Sequence, residues 1–74
     1  NIDPNENVAR LVNVYDQMKP DHAALVLANL PPDFAADILI RIQPEHSAKI
    51  IAAVEPHHAA VLTSYMGSRQ VRTQ

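Results

Sequence analysis

Cysteine and tryptophan are absent from this 74-residue chain, and glycine and phenylalanine occur once each. Without cysteine, no disulfide framework and no thiolate metal site can stabilise so short a domain; the absence is compatible with an oxidising or a reducing compartment alike. The single glycine, Gly67, excludes the P-loop, the dinucleotide fingerprint, the nucleophile elbow and the EF-hand loop, which need glycine at fixed places. No apolar run approaches the ~20 residues that span a bilayer, and no charged-then-apolar signal segment opens the chain. Six Lys and Arg residues stand thinly spread against eight acidic ones, for a net charge of -2. That is not the basic stripe with which a nucleic-acid binder displaces counterions. The opening Asn1-Ile2-Asp3-Pro4 lacks an initiator methionine and reads as the cut edge of something longer, whose upstream part would carry any targeting or membrane anchor.

What the chain does contain is aliphatic: 47% of residues are hydrophobic, with 11 alanines among them. A core of alanine, valine, isoleucine and leucine with so few aromatics points to closely approaching helices rather than a sheet. Prolines recur every twelve residues at Pro20, Pro32, Pro44 and Pro56. Three and four residues after each come Ala23-Ala24, Ala35-Ala36, Ser47-Ala48 and Ala59-Ala60. Six after come Val26, Ile38, Ile50 and Leu62; seven after come Leu27, Leu39, Ile51 and then Thr63, where the pattern weakens. Proline suits the first helical position and disfavours helix in the residue before it. Asp21, Asp33 and Glu45 follow directly, against the positive end of the helix dipole. Apolar positions at +3, +4, +6, +7 and +10 from each proline make one helical stripe.

The segment from Val8 to Met18 keeps this phase without a proline, so the repeat predicts five helices near 6–18, 20–30, 32–42, 44–54 and 56–66. Each is too short to persist alone and must be held by its neighbours. The expected fold is all-α: five short helices in a compact, right-angled, armadillo-like superhelical stack built on a 12-residue repeat. Residues 1–5 are expected as a disordered or linker start, 6–66 as the helical repeat domain, and 67–74 as a flexible tail. Gly67 is expected just past the last helix in a left-handed cap.

The polar residues argue against chemistry. His22, His46 and His58 all stand two residues after a repeat proline, where the second proline unit has Phe34; a position that accepts phenylalanine is a packing position. The histidines lie on separate helices without metal-ligand spacing, and the adjacent His57 and His58 diverge. Near helix starts these imidazoles should resist protonation, so acidification is expected to loosen the fold. Asp16, Asp21, Asp33, Asp37, Glu45 and Glu55 are mostly explained by helix starts, and Asp37 with Arg41 by charge patterning on an exposed face. Neither Ser47, in an alanine position, nor the outward Ser64 has an activating histidine at a suitable spacing. No catalytic, cofactor-binding or metal residue is assigned, and no enzyme is expected.

Positions that should face solvent are more informative, because they hold Leu25, Ile40, Ala52, Ala53, Val61 and Tyr65. Phe34 lies near the same outward side of its helix. Leu25, Phe34, Ile40, Val61 and Tyr65 are therefore the candidate partner-binding residues. Two readings stay open: a protein-binding surface, or burial of part of this set against the next-but-one helix. The alanine-rich stripe could also serve a homodimer.

The stretch from Val14 to Ala24, VYDQMKPDHAA, resembles the opening of the flagellar motility chaperone family MotE, in which tyrosine and two further residues precede Met-Lys-Pro. Residues 36–44, ADILIRIQP, and 49–56, KIIAAVEP, are similar to the same family's repeats, so the likeness covers residues 8–66. The same repeat is similar to the N-terminal domain of MgtE magnesium transporters and to the middle domain of the flagellar switch protein FliG. The Tyr15–Pro20 stretch favours MotE. That resemblance implies a periplasmic, non-enzymatic domain that binds and stabilises the motility protein MotC, without cofactor. The alternatives it leaves are a cytoplasmic, magnesium-sensing domain of an MgtE-type transporter and a FliG-like switch module. Pro31-Pro32, His57-His58 and Thr63 depart from the MotE pattern.

Overall fold

Each repeat unit begins with the same local event. The residue before the repeat proline is forced out of the helical region, and Lys19 (φ -62°, ψ 141°), Pro31 (-55°, 136°) and Gln43 (-51°, 132°) all take the same extended conformation. The proline then starts a helix whose first N–H it does not need. In the computed structural model, which describes residues 4–71, the helices are α1 (Pro4–Gln17), α2 (Pro20–Leu27), α3 (Pro32–Arg41), α4 (Pro44–Ala52) and α5 (Pro56–Val71). Within the first turn of α3 the Asp33 carboxylate accepts the N–H of Phe34 at 2.9 Å, but the residues before α2, α3 and α4 make no side-chain cap. At α5 the Glu55 carboxylate takes that role, accepting the N–H of His57 (3.1 Å) and His58 (2.9 Å).

The all-α repeat stack is as expected, with differences at the boundaries. α2 stops at Leu27 rather than near residue 30, because Pro31 follows and bars helix at Leu30. Ala28 to Leu30 instead tighten into a turn in which Asn29 N–H donates to Val26 O and Leu30 N–H to Leu27 O. α1 starts at Pro4, two residues before the expected point; residues 1–3 and 72–74 of the expected linker and tail lie outside the described residues. The left-handed cap at Gly67 is not formed: α5 runs through Gly67 to Val71, and no described glycine has a positive φ. Gly67 is exposed with open space around its Cα, so nothing in the packing requires a glycine there.

Packing skips one helix at a time. α3 packs on α1, α4 on α2, and α5 on α3, with smaller contacts between successive helices. Two rows result, α1–α3–α5 and α2–α4, in a body of 38 × 32 × 21 Å. The core consists of Tyr15, Ala23, Ala24, Leu27, Ala35, Ile38, Leu39, Ile42, Ile50, Val54 and Leu62. Leu27, Ile38, Leu39, Ile50 and Leu62 are its largest fully buried side chains, each contributing roughly 1.5–3 kcal/mol of hydrophobic transfer. Alanines at the +3 and +4 positions let the backbones approach closely.

Burial along the repeat is graded in a way that the sequence does not show. At +7 the side chain is buried in α1, α2 and α3 (Tyr15, Leu27, Leu39), half-buried at Ile51 and exposed at Thr63. At +6 the order reverses: Val14 and Val26 are 53% and 43% exposed, whereas Ile38, Ile50 and Leu62 are fully buried. The gradient follows the packing two units apart: +7 side chains are buried where a helix two units later exists, and +6 side chains where one two units earlier exists. The first two helices lack an earlier neighbour in this structure and the last two lack a later one.

Candidate partner surface and the two ends of the stack

Successive helical residues are about 100° apart around the axis, which places each expected surface residue. Leu25 lies on the back of α2 and is 67% exposed; Tyr65 on α5 is 43% exposed, one turn from the half-buried Val61. Phe34 and Ile40 fall on opposite borders of the buried stripe of α3, and both are half-buried. Phe34 packs against the core. Ile40 lines a groove of about 260 Å³ with Leu39, Ile42, Ser47, Ala48 and Met66 among others. Leu25 belongs to the α2–α4 row and the other four to α3 and α5 of the other row. Leu25 and Tyr65 are exposed outright, and burial of part of the set, one of the two readings open in the sequence, accounts for Phe34.

The +2 position is a packing position on α3, α4 and α5 only, and His22, expected to pack, does not. Phe34, His46 and His58 are half-buried, while Arg10 and His22 at the same place on α1 and α2 are exposed. His46 Nε2 lies 3.2 Å from the Tyr15 carbonyl of α1 and donates to it when that nitrogen carries hydrogen. His58 Nε2 is buried without a hydrogen-bond partner. The Ser47 hydroxyl donates to Leu39 O at 2.6 Å, satisfying one of the last carbonyls of α3, which lack an intrahelical N–H. Among the described residues Ser47 is the one buried polar residue of the core. It fills an alanine position because Leu39 O is within its reach.

Charged groups stay on the surface. Asp37 and Arg41 pair at 3.8 Å, one turn apart. Glu55 has its carboxyl held below the ordinary glutamate value of 4.5, chiefly by the His58 N–H and next by the His57 N–H. Among the described residues no three His, Cys, Asp or Glu side chains gather where they could hold a metal ion, and no helix is long and apolar enough to cross a membrane.

Exposed apolar residues that sequence reasoning missed are Val14 and Val26. The repeat assigns them to the core stripe, and only their place in the first two units marks them as uncovered. Val14 lines an open groove of about 440 Å³ with Asn7, Arg10 and Leu11.

A twelve-residue repeat folded into two rows of short helices, with its titratable groups dispersed and apolar side chains left outside, defines a helical-repeat domain. The family described as the MgtE intracellular N domain matches residues 6–71, and the chain belongs to that family. No curated protein and no solved structure matches it.

Proposed function

We propose that this chain is a non-enzymatic protein-interaction domain of a motility chaperone of the MotE kind, binding and stabilising a MotC-like periplasmic partner. The observation that carries this reading is the exposure of large apolar side chains, Val14, Leu25, Val26 and Tyr65, on a stack whose interior is already filled. Exposed apolar side chains of this size gain by covering a partner. The likeness of the Tyr15–Pro20 stretch to MotE supports the finer assignment. In the fold this stretch closes α1, with Tyr15 buried and its carbonyl facing His46. The family match supports the repeat domain that MotE and MgtE proteins share, without distinguishing the two. The test is retention of MotC by the immobilised chain. Retention that Leu25→Asp and Tyr65→Asp weaken supports the reading; failure of the chain to retain MotC, where the parent protein does, moves the activity elsewhere.

A second reading is favoured by the family description itself: a cytoplasmic regulatory domain of an MgtE-type transporter. Magnesium prefers several oxygen ligands, and the acidic residues here are spaced by the repeat, so this reading needs a second surface to complete a site. Osmotic-shock fractionation of the native host separates the two. The parent protein released from the periplasm supports the chaperone, and its retention with cytosol or inner membrane supports the transporter domain.

A further inference from the structure

We draw no further inference here: the strongest candidate, the apolar groove of about 260 Å³ where α3, α4 and α5 meet, lined by Ile40, Ile42, Ser47, Ile51 and Met66 among others, carries nothing, because its one hydroxyl, that of Ser47, is already bonded to Leu39 O and nothing in the structure shows what covers it.

Discussion

Single side chains in this domain are explained by their place in the repeat more than by their chemistry. Ser47 stands where three other units have alanine, and its hydroxyl bonds a buried carbonyl left over from the end of α3. Ser47→Ala is expected to cost about 1–3 kcal/mol, since Leu39 O is left unpaired, measured by urea unfolding; a neutral result would show that carbonyl to be hydrated. His58 occupies a position that phenylalanine fills at Phe34, yet buries Nε2 without a partner. His58→Phe is therefore expected to raise the melting temperature, and a lowered one would mean that the nitrogen does find a partner. The sequence was legible here up to a point. That the histidine position is for packing could be read from Phe34, but which of the histidines are covered depends on whether an earlier helix exists to cover them.

Whole helices follow closely from proline spacing, because the pre-proline restriction and the first-turn acid act within a few residues. Where the boundaries moved, a local competitor was at work. Pro31 shortens α2, whereas Gly67 fails to stop α5: a glycine permits a left-handed cap but does not impose one. The capping of α5 gives a pH prediction. The folded-state pKa of Glu55 is depressed by two backbone N–H groups, so its contribution is present above the ordinary glutamate value of 4.5 and is lost as pH falls through the lower folded value. Glu55→Gln is expected to reduce stability at neutral pH and to flatten the dependence at the acid end. Melting curves of both forms across that range check this, and parallel curves would contradict it.

At the scale of the molecule, the periodicity declared the fold class and the core stripe, but it treats every unit alike. A stack of five helices packing two units apart has ends, and burial at an end is set by what is missing, which no repeat pattern records. This is why Val14 and Val26 read as core and prove exposed, and why Thr63, an apparent lapse in the pattern, falls where the +7 edge meets solvent. Phe34, expected among the partner residues, is half-buried and packs against the core. The graded stack underlies the fold, and urea unfolding of two variants at one repeat position tests it most directly. Val26→Ala should change stability by no more than about 0.5 kcal/mol, as an exposed substitution does. Ile50→Ala, two units later, should lose about 2–5 kcal/mol or fail to fold. Equal losses at the two positions would mean that Val26 is as buried as Ile50, and would contradict the open end on which the account depends.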